Sequence, residues 1–193
     1  IMNNNKDDER EEHILLSDLI LLLLANKNDK IEGRTVLQKL VYLTSININN
    51  MLVNKPNFKP HYYGPYSYDV ALTLDQLINL GFVEEYTKKT SDGIITYIYN
   101  LTEDGKKLVD KYSNKKINKT LCKMIDKLDK NTNSNELIQL AKIHYIITNI
   151  KCINNNEIIK TAEMLGWELN PSIIDNMKRI LKELELIDND EEK

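Results

Sequence analysis

Apolar positions recur at helical spacing through most of the chain, and between residues 82 and 99 they take on strand character instead. The first block, "HILLSDLILLLLAN" (13–26), is apolar on every side from Leu19 to Ala25. A helix of that kind belongs at the centre of a core or in an interface between two copies, and a homodimer is expected on the second ground. "GRTVLQKLVYLTSININN" (33–50) opens with a capping box, Thr35 and Gln38, and sets Leu37, Leu40, Val41, Thr44 and Ile48 on one helical face. Residues 51–66 hold three of the four prolines and read as a loop with a short extended piece near Phe58. Ser67 then caps a helix over 68–80, apolar at Val70, Leu74, Leu77 and Ile78, which stops at Gly81.

"FVEEY" (82–86) and "IITYIY" (94–99) have strand chemistry, with "KKTSDG" between them as a hairpin loop. A further helix begins at Thr102 and runs to 112. Three helices, a β-hairpin and a closing helix make the order of a winged helix. From residue 113 the character changes. "SNKKINKTLCKMIDKLDK" reads as a polar, basic helix, and "ELIQLAKIHYIITNI" (136–150) as an apolar one. Asn154 with Glu157, and Asn170 before Pro171, mark two more helix starts. The expected fold is therefore mostly α with a small β-hairpin. A winged-helix domain spans 13–112 and a helical, helix-turn-helix-like unit spans 113–187, between acidic tails at 1–12 and 188–193.

Apolar residues at 41% and charged ones at 28% suit a globular protein that buries a core. The 13–26 block is shorter than the roughly 20 residues a membrane span needs, so no membrane association is expected. Cys122 and Cys152 form no disulfide framework, and the expectation is a cytoplasmic protein. The net charge of −3 divides unevenly: the first twelve residues carry −3 and the last twelve −4, which leaves +4 for the body. That balance permits nucleic-acid binding without demanding it.

Enzyme chemistry finds no foothold. His13, His61 and His144 are scattered, no spacing resembles a metal site, and no Gly-rich phosphate loop or nucleophile elbow occurs. A non-enzymatic protein without cofactors is expected. The first functional expectation is a transcriptional regulator holding double-stranded DNA through Arg34, Lys39, Ser67, Tyr68, Lys88, Lys89, Lys106, Lys115 and Lys116. One feature resists it: the helix over 67–80, which would enter the major groove, carries Asp69 and Asp75 but no Lys or Arg. The alternative is a protein-interaction module that uses Tyr62, Tyr63, Tyr66 and Tyr68 of "FKPHYYGPYSYDV" (58–70). A purely structural reading of that loop stands beside both. In it, Tyr62, Tyr63 and Tyr66 bury their rings over the helix 33–50 while Gly64 and Pro65 make the turn.

"GRTVLQKLVYL" (33–43), the F-P-YYGPYS-DV pattern (58–70) and "LINLGFVEE" (77–85) resemble the YwgA family of uncharacterised bacterial and archaeal proteins. More distantly, the LQKLVYL element followed by a YGP loop resembles the Panacea domain of SocA-type antitoxins. The resemblance covers about residues 13–110. It implies a winged-helix-like core and regulatory or antitoxin roles, and it brings no catalytic motif.

Overall fold

The computed structural model describes residues 13–89 and 91–188. The tail expected over 1–12, and all but the first residue of the tail expected over 188–193, lie outside the described residues. In chain order the elements are α1 (Leu16–Asn26), β1 (Lys30–Glu32), α2 (Arg34–Asn47), β2 (Lys59–His61), β3 (Gly64–Tyr66) and α3 (Tyr68–Asn79). β4 (Val83–Lys89), β5 (Ile95–Leu101), α4 (Glu103–Asp110), α5 (Lys116–Asn131) and α6 (Ser134–Tyr145) follow. A π-helical turn (Ile146–Ile150) extends α6, and α7 (Asn155–Met164), a 3-10 turn (Pro171–Ile173) and α8 (Ile174–Glu183) complete the order. The fold is mostly helical, with two small antiparallel sheets ordered β1-β5-β4 and β2-β3.

α1 is the centre of the first half. Leu19, Ile20, Leu21, Leu22, Leu23 and Leu24 are all buried, because α2, α3, α4, α5 and strands β1 and β5 pack around them. Each such side chain contributes roughly 1.5–3 kcal/mol of transfer free energy. Its uniform apolarity is thus accounted for within one chain, so this stretch offers no face for the second copy that it suggested.

β5 is the middle strand of its sheet, with Tyr99 opposite Ile31 on one side and Leu101 opposite Val83 on the other. β1 is only three residues long, too short to register as a pattern. It is secured by flanking bonds, Gly33 N to Tyr97 O and Leu101 N to Asp29 O, each 2.8 Å.

The expected capping box at Thr35 and Gln38 does not form. α2 starts two residues earlier, with Gly33 at the N-cap in place of Thr35. The Gln38 amide is spent on the backbone of Ser67 instead, donating to its carbonyl and accepting from its N–H, each at 3.0 Å. Buried backbone groups need partners, whereas a solvent-facing helix start can use water. Ser67 does stand at the N-cap of α3, but its side chain makes no capping bond. Thr102 behaves as expected: its hydroxyl accepts from Gly105 N at 3.1 Å and donates to Gly81 O at 2.8 Å.

The apolar core continues from one half into the other. α6 packs on α2, β3 and α8. Leu40 and Val41 of α2 share one buried cluster with Leu140, Ala141 and Ile143 of α6 and Met177 and Leu181 of α8.

The α4–β4 junction yields a direct test. A Cβ on Gly105 would lie 2.3 Å from Phe82 O and 2.7 Å from Leu101 Cδ1. Although alanine favours helix, Gly105→Ala is expected to lower unfolding free energy by about 1–3 kcal/mol, measured by equilibrium urea denaturation. A neutral or stabilising result would mean that α4 does not sit this close to residue 82.

Candidate functional site

The Tyr-rich segment is a hairpin, β2 and β3, with Tyr62 and Tyr63 as its two-residue loop between His61 and Gly64. Its backbone is held from several sides at once. Lys39 of α2 donates from Nζ to Pro65 O at 2.7 Å. The Trp167 indole donates to His61 O at 2.6 Å, and Gln38 grips Ser67 just beyond β3. Lys142 of α6 lies alongside, its Nζ on Glu168 O at 3.1 Å. Gly64 (φ +100°) fits over both lysine stems: a Cβ there would lie 2.9 Å from Lys142 Cγ and 3.2 Å from Lys39 Cε.

Two ammonium groups therefore share one buried place. Lys39 is 2% exposed and Lys142 7%, and among the described residues neither forms an ion pair. Burial, and then the neighbouring charge of Lys142, push Lys39 down from its ordinary 10.5 to about 7. Burial also lowers Lys142, with Glu168 acting in the opposite sense. Backbone carbonyls take the place that carboxylates usually fill.

Because its backbone makes the contact, the hairpin's rings are left outside. Tyr62, Tyr63 and Tyr68 are 80%, 65% and 74% exposed, so the expectation that Tyr62 and Tyr63 bury over α2 is corrected. Gly64 and Pro65 occupy that place. The rings form a row: Tyr62 meets His61 edge-on at 4.9 Å, His61 stacks on Tyr66 at 4.8 Å, and Tyr66 meets Tyr68 edge-on at 5.2 Å. Leu72, exposed one turn along α3, extends the apolar surface. Beside the row is a groove of about 510 Å³ whose lining includes Arg34, Tyr66, Tyr68, Asp69, Leu72 and Asp75.

The residues expected at DNA are dispersed in role. Lys39 and Ser67 are buried, Lys39 on the hairpin carbonyl of Pro65 and Ser67 with its N–H on Gln38 Oε1, out of reach of a duplex phosphate. Arg34 donates to Tyr99 Oη at 2.9 Å and to Glu85 Oε2 at 3.0 Å, and lies 4.2 Å over the Tyr97 ring. Lys106 bridges Asp29 and Glu103, each at 2.9 Å. Lys88 and Lys89 are exposed on β4, and Lys115 and Lys116 at the start of α5. Only Arg34 and Tyr68 of this set line the groove. The structure adds His61, Leu72, Lys142 and Trp167 to the residues expected at the site. The available signal is a lysine inside each of two mostly apolar helical runs, "LQKLVYL" and "LAKIHYI".

No helix among the described residues is long and apolar enough to cross a membrane. None of their His, Cys, Asp and Glu side chains are grouped to hold a metal ion.

Over 90 residues, 47% of this chain, the sequence is 36% identical to the uncharacterised protein YwgA of Bacillus subtilis (strain 168). The match supports the YwgA-like resemblance. It spans 52% of the relative, so the chain spans about half the length of the curated relative it matches. No family model matches the chain.

The buried lysine gives stability a pH dependence of definite sign. Between about pH 7 and 10.5 the unfolded chain holds a proton on Lys39 that the folded chain lacks, so stability rises with pH there. Lys142 acts in the same direction. Tyr42 and Tyr99, pushed up by burial, oppose the rise only above their ordinary 10.0. Urea unfolding of the native chain should show stability climbing from about pH 7 to about pH 9.5, and Lys39→Met should flatten the climb. Equal slopes in the two proteins would show that burial does not depress Lys39 in the folded chain.

Proposed function

We propose that this protein is a non-enzymatic protein-interaction module, antitoxin-like or adaptor-like, built on a winged helix over residues 13–112, α1 to α4. With the β2–β3 hairpin inserted between α2 and α3, the order α1-β1-α2-α3-β4-β5 and the sheet order β1-β5-β4 support the winged-helix reading. The interacting surface is the ring row Tyr62, His61, Tyr66 and Tyr68, with Tyr63 and Leu72 at its edges and Asp69 and Asp75 alongside.

One observation carries this reading: the most exposed tyrosines belong to a segment whose backbone is anchored by buried side chains. Solvent-facing aromatics on a preorganised backbone lose little entropy on binding and can act as hot-spot anchors. The neighbouring carboxylates suit a partner that presents apolar side chains with basic ones around them.

A DNA-binding regulator is the second reading, favoured by Lys88 and Lys89, exposed on the β4–β5 hairpin. Against it, the exposed part of α3 offers Asp69, Asp75 and Gln76 and no cation, although phosphate neutralisation supplies most nonspecific affinity.

The two readings separate in one experiment. The tagged chain should retain a stoichiometric protein partner from its own cell extract. Tyr62→Ala with Tyr68→Ala, both surface changes, should weaken that retention by about 30-fold, a hot-spot loss. Lys88→Ala with Lys89→Ala should leave it intact. If instead the chain binds duplex DNA with a steep salt dependence that the lysine pair abolishes, and the tyrosine pair changes nothing, the regulator reading replaces this one.

A further inference from the structure

A second cavity lies at the other end of α2, where its C-terminal turns, the 52–58 segment and the π-helical turn meet. Its volume is about 470 Å³, within the range of small-ligand sites. Its lining includes the rings of Tyr42, Phe58, His144 and Tyr145. Tyr42 meets Phe58 edge-on at 4.9 Å and lies tilted against Tyr145 at 6.3 Å.

Neutral polar groups converge on the same cavity. His144 donates from Nε2 to Leu186 O at 3.1 Å, which leaves Nδ1 to accept from the Tyr42 hydroxyl at 2.8 Å. Burial pushes His144 down to about 4, so this pair carries no charge near neutral pH. Thr148 and Asn149 also line the cavity. They belong to the π-helical turn, where α6 widens before ending at Lys151 in the left-handed region (φ 64°). The widened turn is held by its own side chains: Thr148 Oγ1 donates to His144 O at 2.8 Å, and Asn149 Nδ2 donates to Thr148 Oγ1 at 3.0 Å. A π turn weakens the regular helical ladder and recurs at functional sites. Here it brings Thr148 and Asn149 to the cavity wall.

Charge narrows the ligand. Among the described residues, exposed Lys55 is the one charged side chain lining the cavity, and no carboxylate does so. We propose that this cavity binds a small planar aromatic molecule bearing one anionic group. Its ring inserts among Tyr42, Phe58 and Tyr145, and its anion meets Lys55. Amides of Asn49 and Asn149 stand at the cavity for hydrogen bonding. A cationic ligand would find no counter-charge among the described lining residues.

The test uses the full chain, with 2-naphthoate as probe and 2-naphthamide as its uncharged isostere, followed by amide shifts in two-dimensional NMR. Naphthoate should saturate below about 1 mM, the weak end of specific binding, with shifts confined to residues around Tyr42, Phe58 and 145–149. Naphthamide should bind about fivefold more weakly, the worth of one exposed ion pair. Lys55→Ala should bring naphthoate down to the same level. Asn49→Trp, an exposed position at the rim, should abolish both titrations while leaving the rest of the spectrum unchanged. Failure of naphthoate to saturate, or binding that persists in Asn49→Trp, would overturn the site. Equal affinity for the two probes would overturn the anionic ligand class.

Discussion

The bond from the Lys39 ammonium to the Pro65 carbonyl decides how the Tyr-rich hairpin sits, and the hairpin decides what the surface displays. An apolar side chain at position 39 would pack against the same hairpin but leave that carbonyl without its donor. A lysine stem reaches across the contact and keeps its donor at the far end, at the cost of burying a charge. The cost is visible in how far Lys39 is pushed down. Gly64 belongs to the same arrangement, since any larger residue would collide with the two lysine stems. A backbone held this way has no room for rings beneath it. The tyrosines face water because Gly64 and Pro65 took the interior.

The clamp also binds the two halves of the sequence to each other. Lys39 and Gln38 come from α2, while Lys142 comes from α6 and Trp167 follows α7. The hairpin is therefore gripped between segments more than a hundred residues apart in places, as the Trp167 bond to His61 illustrates. The second cavity lies along the same α2–α6 seam, and Phe58, one of its walls, runs directly into β2. Two surfaces of different chemistry thus hang from one packed interface.

Much of this fold was legible where local chemistry decides. Thr102, Asn154 and Asn170 each cap the turn that follows them, because an N-cap bond depends only on residues two or three positions apart. The alternating runs before and after Gly93 pair as the β4–β5 hairpin. What was not legible depends on distant partners. α2 reads as one apolar face on a polar helix, yet residues 37–45 are buried on all sides, Gln38 and Lys39 included. Periodicity cannot reveal a polar side chain whose partner is a backbone group some 29 residues away. For the same reason Lys39 counted as a surface cation and Thr35–Gln38 as a capping box. Tyr62 and Tyr63 misled in the opposite way: aromatic content suggested burial, and a two-residue loop puts its side chains at the tip.

Charge accounting from sequence has the same weakness. The +4 of the body treats every lysine as available to a polyanion. In the fold, Lys39 is buried, while Lys27, Lys30, Lys106, Lys107 and Lys111 each face a carboxylate. Exposed pairs of this kind add little stability individually, but each one lowers the field that an approaching phosphate would meet. The surface that remains distinctive is then defined by shape and aromaticity rather than by net charge. On α3 and the hairpin, the side chains with most area to lose on contact are Tyr62, Tyr63, Tyr68 and Leu72. Burying them favours association with an apolar counterpart, a driving force that salt screening does not remove.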